Sequence, residues 1–152
     1  MSAAAQLRLS YRPDNQWHGE LSASVNSGAF SGTSSAWFDR AKLDTFVAAL
    51  RAFPLSPDAP PLIESGFGSK ETPGALEQCH LRIAIRPYDS RGSLLVQVDL
   101  ASKSWSSPDK DRQQEVTARF LTQYSELDEF ASQLSKVLDG KGEFAILYGV
   151  RS

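Results

Sequence analysis

The only cysteine, Cys79, stands beside one of the two histidines, His80. A thiol next to an imidazole suggests a nucleophile activated by a base. The neighbouring residues argue against that pairing. Cys79, Leu81, Ile83 and Ile85 alternate with His80, Arg82, Ala84 and Arg86, which is the period of a half-buried strand. Adjacent side chains in a strand point to opposite faces, so this thiol and imidazole cannot meet. Cys79 is therefore read as a small buried apolar residue. His18, Glu20 and His80 make a minimal donor set for a metal if their strands lie side by side. Scattered surface histidines are the simpler reading, and no metal or other cofactor is expected. Gly66-Phe67-Gly68-Ser69-Lys70 lacks the full spacing of a phosphate loop, and Pro73 follows before any helix signal. Asp109 and Asp111 fall in a charged segment and read as solvated. Neither Gly-x-Ser-x-Gly nor His-Glu-x-x-His occurs. Nothing positive supports catalysis, and the chain reads as a non-enzyme.

The elements that position these residues begin with a central hairpin. After the Cys79–Arg86 alternation, Pro87-Tyr88-Asp89-Ser90-Arg91-Gly92 supplies turn chemistry. Leu94, Val96, Val98 and Leu100 then alternate with Leu95, Gln97, Asp99 and Ala101. Two strands with one apolar face each, joined by a short Gly-containing loop, predict an antiparallel hairpin.

Before it, Leu7, Leu9 and Tyr11 mark a first strand. Trp17, Gly19, Leu21, Ala23 and Val25 share one face of a second, with Asn26-Ser27-Gly28 as its turn. Residues 29–38, rich in Ser and Gly, predict a third. Asp39 suits the N-cap of a helix whose apolar face is Leu43, Phe46, Val47 and Leu50, and Pro54 stops it. Residues 54–76 hold Pro57, Pro60, Pro61 and Pro73 and read as a long loop, functional or mobile, pinned by Leu62, Ile63 and Phe67. A second loop, 102–112, carries Trp105. Val116, Ala118 and Phe120 predict a strand, and Ser125-Glu126-Leu127-Asp128 has the form of a capping box. A helix with Leu127, Phe130, Leu134, Val137 and Leu138 on one face ends at Gly140 and Gly142. Phe144, Ile146 and Tyr148 predict a last strand.

The two helices share a pattern. Leu43-Asp44-Thr45-Phe46 with Leu50 matches Leu127-Asp128-Glu129-Phe130 with Leu134 at identical spacing, and each follows predicted strands. The expected fold is α+β, a twisted antiparallel sheet of about seven strands with two amphipathic helices on one face. A duplicated strand-strand-strand-helix unit with a closing strand is one way to build it.

The 152 residues suit a single domain over 1–152, and 41% apolar with 22% charged residues is ordinary for a globular chain. Charges are interspersed and the net charge is −2, so no nucleic-acid partner is expected. One cysteine excludes an intramolecular disulfide. No apolar run approaches membrane-spanning length, and residues 1–6 lack the regions of a signal peptide. A cytoplasmic protein without a membrane partner is the expectation.

Phe30-Ser31-Gly32 through Leu50, the central hairpin, and Phe120 through Leu138 together resemble small bacterial proteins of uncharacterised families. Some of these are grouped with the immunity proteins of polymorphic-toxin systems, including the type that protects against the WapI toxin. The resemblance covers most of the chain and implies tight binding to one cognate toxin domain, without catalysis. Many immunity proteins against nucleases are strongly acidic, and this chain departs from that pattern.

With helices on one side of the sheet, Arg8, His18, Glu20, Arg82, Arg86, Gln97, Asp99, Glu115 and Arg119 fall on the other. The expected function is therefore protein binding, with immunity to a toxin as its specific form. Arg82, Arg86, Arg119 and Asp99, with Trp105 and Phe67 on adjoining loops, are the expected partner-binding residues. The alternative is a small-molecule binder or enzyme with a pocket between the sheet and the Pro-rich loop 54–76. A third possibility is a purely structural homodimer formed through the sheet face or a sheet edge; otherwise the chain is a monomer.

Overall fold

Alternation decides the strands. In a computed structural model that describes residues 4–104 and 113–150, eight antiparallel strands and two helices follow the apolar periodicities closely. They run β1 (Gln6–Pro13), β2 (His18–Ser27), β3 (Phe30–Asp39), α1 (Arg40–Leu50), β4 (Leu62–Gly68), β5 (Leu76–Pro87), β6 (Ser93–Ala101), β7 (Glu115–Gln123), α2 (Tyr124–Leu138) and β8 (Ala145–Tyr148). The class is α+β as expected. The strands form two sheets of four, ordered β3-β2-β1-β8 and β4-β5-β6-β7.

The order of elements repeats as three strands, a helix and a further strand. Each further strand joins an edge at the start of a unit: β4 pairs with β5, and β8 pairs with β1. The two sheets also meet at their rims. Near one rim the Ser65 hydroxyl donates to the Trp37 carbonyl. At the other, Val150 N–H donates to the Leu121 carbonyl at 2.8 Å and the Thr122 hydroxyl to the Tyr148 carbonyl at 2.8 Å.

Inward side chains of both sheets and the apolar faces of both helices form one core. Leu7, Leu9, Leu21, Ala23 and Val25 come from the first sheet, and Ile83, Ile85, Val96, Val98 and Phe120 from the second. α2 lies on β8 and β1, and α1 packs on α2, β3 and β4. Leu43, Phe46, Val47 and Leu50 of α1 and Leu127, Phe130, Ala131 and Leu134 of α2 are the buried equivalents. Arg40 ties the helices together. Its guanidinium donates to the Leu138 carbonyl at 2.8 Å and pairs with Asp139 at 2.7 Å.

Small residues in β3 have a packing reason. The Ser34 hydroxyl donates to the Ala101 carbonyl, and a Cβ at Gly32 would collide with Val116. This strand crosses close to the second sheet, and only small side chains leave that room.

Several expectations are corrected. Residues 54–76 are not one loop, because β4 occupies 62–68. Its four flanking prolines lie outside the strand, and pairing with β5 supplies the hydrogen bonds that local sequence does not advertise. The last strand buries Ala145 and Leu147, while Ile146 and Tyr148 face outward. Register decides this: Leu147 sits opposite Leu7 and Ala145 opposite Leu9, and opposed residues share a face. Trp17 precedes β2 and is 70% exposed. Asp39 is the N-cap of α1 but makes no side-chain cap bond, and α2 starts at Tyr124, so Ser125 lies inside its first turn.

Phe130 is fully buried between both sheets' strands and the helices, and Phe130→Ala is expected to lower unfolding free energy by about 3–5 kcal/mol. A Cβ at Gly66 would collide with the Gln78 carbonyl, which is backbone and cannot swing aside. Gly66→Ala should cost about 1–3 kcal/mol. Urea titration of both variants followed by circular dichroism checks these values.

Candidate functional site

Strand pairing gathers the predicted arginines on the outward face of the second sheet. Glu64, Arg82, Asp99 and Thr117 make one row across its four strands. Leu62, Ala84, Gln97 and Arg119 make the next, and Arg86, Leu95 and Leu121 the third. Side chains directly opposed in such rows are within contact of one another.

The first row is electrostatically closed. Arg82 pairs with Glu64 at 3.2 Å and with Asp99 at 4.0 Å. Asp99 also accepts from Thr117 at 2.6 Å and from Gln97 at 3.1 Å. Arg86 and Arg119 are exposed and make no ion pair with any described residue. They flank the partly buried Leu95 and Leu121; Leu62, in the row of Arg119, is 45% exposed, and Tyr88, two residues after Arg86, is 60% exposed. Apolar side chains held flat beside unpaired guanidinium groups are well suited to protein contact.

Of the expected partner-binding residues, Arg82, Arg86, Arg119 and Asp99 share this face. Phe67 does not. Its ring packs edge-on against His80, with centroids 4.5 Å apart. Trp105, Asp109 and Asp111 lie outside the described residues. Arg8, His18 and Glu20 are on the first sheet, so the nine polar residues expected on one face divide between two.

A bulge explains the Cys79–His80 region. Between Ser65 and Gly66 β4 advances one residue, while β5 moves two, from Leu81 to Cys79. His80 is the extra residue, and the alternation reverses there. Gln78 and His80 turn inward, at 4% and 1% exposure, and Cys79 turns outward, only partly buried. The reading of Cys79 as a core residue is corrected: it lines a hollow of about 240 Å³ with Glu64, Arg82, Asp99 and Glu115. Burial first, and then the nearby Glu64 carboxylate, push its thiol pKa up, which keeps it protonated. It donates weakly to the Leu81 carbonyl at 3.7 Å.

His80 Nε2 lies 2.9 Å from Gln78 Oε1. The same oxygen accepts from Ser104 N–H at 3.2 Å, and Gln78 Nε2 donates to the Ser104 carbonyl at 3.0 Å. This buried network holds the end of β6 against β5. His18, partly buried and 3.5 Å from Asp14, is on the other sheet, so the two histidines do not meet. Among the described residues no group of three or more His, Cys, Asp and Glu is placed to hold a metal ion.

The pocket expected beside the Pro-rich segment takes the form of an open trough of about 480 Å³ between α1 and residues 59–64. Phe38, Phe46, Pro60, Pro61, Leu62 and Ile63 make it largely apolar. Sequence reasoning missed Leu62 because β4 was not foreseen. Leu95 and Leu121 were legible as solvent-facing, since each alternates with inward residues of its own strand.

Burial, and then the charge of Lys103, lower the His80 pKa below that of an exposed imidazole. The unfolded chain therefore binds a proton at higher pH than the folded one. Stability contributed by neutral His80 is complete above the unfolded value of about 6.5 and declines as pH falls through it. Melting temperature should drop between pH 7 and 5, and His80→Gln should flatten that drop, as thermal melts across this range will show.

In comparisons with known proteins, no family model matches the chain, and no curated protein or solved structure matches it either.

Proposed function

We propose that this chain works by binding another protein through the outward face of its second sheet. One observation supports the reading above the others: among the described residues Arg86 and Arg119 have no ion-pair partner, and they stand beside the outward, partly buried Leu95 and Leu121 on one sheet. A charged group exposed without a partner is ready to pair across an interface, and arginine does so with planar, bidentate geometry. Flanking leucines offer apolar area that is already half desolvated. The paired strands fix the backbone positions from which both kinds of side chain project.

The specific form of this reading is immunity, in which the partner is a toxin domain and binding neutralises it. It rests on the resemblance of the helices and central hairpin to immunity proteins. The face described here would have to meet acidic groups on the partner. That accords with a chain that is itself only weakly negative.

Arg82 is the poorer probe of this face, because reversing it would place three carboxylates together at Glu64, position 82 and Asp99. Arg86→Glu and Arg119→Glu avoid that conflict. Both should melt close to the wild type, since exposed substitutions away from packed features usually change stability within about 0.5 kcal/mol. Affinity capture from the source cells should yield one stoichiometric protein with the wild-type bait. The paired variant should retain it at least tenfold less well. A captured toxin domain whose activity falls to zero at equimolar bait would establish the immunity form. Equal retention by the variant would remove this face from the interaction.

A further inference from the structure

We propose that the trough between α1 and β4 receives an extended peptide as an added β-strand. This deepens the protein-binding reading and rests on it for the class of partner. The argument begins with the edge of a sheet. Among the described residues β4 pairs only with β5, which leaves its other side a free edge. Ile85 N–H donates to the Pro61 carbonyl, which sets the hydrogen-bond phase. In an antiparallel ladder the residues that bond one neighbour alternate with those that face away. Pro61, Ile63 and Ser65 therefore serve β5, and the main-chain groups of Leu62 and Glu64 are directed to the free edge. Both residues line the trough.

The other half of the molecule shows how such an edge can be closed. There Ile146 N–H of β8 donates to Gln133 of α2 at 2.8 Å. Gln133 is the tenth residue of α2, counting from Tyr124, and the tenth residue of α1, counting from Arg40, is Ala49. Ala49 has no side-chain acceptor and instead helps to line the trough. The connection from helix to strand is also longer here, residues 51–61 against 139–144. The equivalent of a closed contact is thus an opening with the main chain of a strand along one wall and a helix along the other.

Charge indicates the rest of the ligand. Lys42 lines the trough and forms no ion pair with any described residue, whereas the Glu64 carboxylate is already held by Arg82. Asp39 lies beyond Lys42 in an adjoining hollow and is not paired with it. The occupant that fits is an extended peptide with apolar side chains at alternate positions, directed at the exposed Ala41, Ala59 and Leu62 of the trough, and a carboxylate beside Lys42. Strand addition of this kind draws affinity from main-chain bonds and specificity from alternate side chains.

Panning a displayed library of random dodecapeptides on the whole chain tests this, with Thr45→Trp, which fills the trough, as counter-target. Enriched sequences should alternate apolar residues and share an acidic group. The most enriched, as a synthetic peptide, should slow hydrogen exchange at the Leu62 and Glu64 amides at least tenfold. Methylating alternate peptide nitrogens, or Lys42→Glu in the protein, should each weaken binding at least tenfold. If Thr45→Trp does not melt like the wild type, those last two readouts decide alone. Enrichment no better than on the counter-target overturns the proposal, as does a fragment-sized apolar compound that binds the trough when no peptide does. So does protection of Leu62 and Glu64 by concentration-dependent dimerisation without peptide. Peptides that protect the Arg86–Arg119 face instead overturn the trough alone and leave the protein-binding reading standing.

Discussion

Burial of four apolar surfaces in one core is the constraint on which this structure depends. Each sheet has one face of leucine, isoleucine and valine, and both helices, of 11 and 15 residues, are too short to persist without packing. A four-stranded sheet with two helices on it would still expose part of that face. Closing one sheet over the other, with α1 and α2 filling the remaining side, removes all of it from water. The exchange of end strands follows from this. β4 and β8 extend the sheets at β5 and β1, so each widens the apolar face of a sheet that starts another unit. Arg40, bonded to the Leu138 carbonyl of α2 and to the Asp139 carboxylate, fixes the two helices end against start.

Within that frame the bulge at His80 is the point where regularity gives way. One unpaired residue in β5 reverses which side chains face the core. It brings two polar residues, Gln78 and His80, into the interior, where the Gln78 side-chain amide bonds both His80 Nε2 and the Ser104 main chain. It also turns Cys79 toward the charged row of Glu64, Arg82 and Asp99. Gly66 sits opposite the same irregularity, where the Gln78 carbonyl leaves no space for a side chain. The identity of residues at 66, 78 and 80 is thus a single packing solution.

The two surfaces singled out for binding share one origin. The second sheet is covered on one side by the core, and among the described residues no layer lies on the other, so its outward rows carry exposed side chains. Its edge at β4 faces α1 across a gap that the long connection 51–61 leaves open. Proteins commonly blunt a free strand edge with lysine, proline or a bulge, and this edge has Lys42 opposite, two prolines before it and a bulge after it. Those features limit unspecific pairing and at the same time give the trough its shape.

The sequence by itself determined the strands with strict alternation, the two helices and their buried residues, and the matched spacing of Leu43, Phe46 and Leu50 with Leu127, Phe130 and Leu134. Period is a local property, and a strand or helix face can be read from it. The same alternation placed Arg82, Arg86, Asp99 and Arg119 together, because a tight hairpin and its neighbour fix register. Tertiary structure alone decided the division into two sheets, the strand at Leu62–Gly68 and the face that Ala145–Tyr148 buries. Each depends on which distant strand pairs with which, and partner choice is set by the shared core. The reversal at Cys79 and His80 was equally out of reach. A bulge exists only relative to the strand beside it, and no residue of β5 states how far β4 will advance.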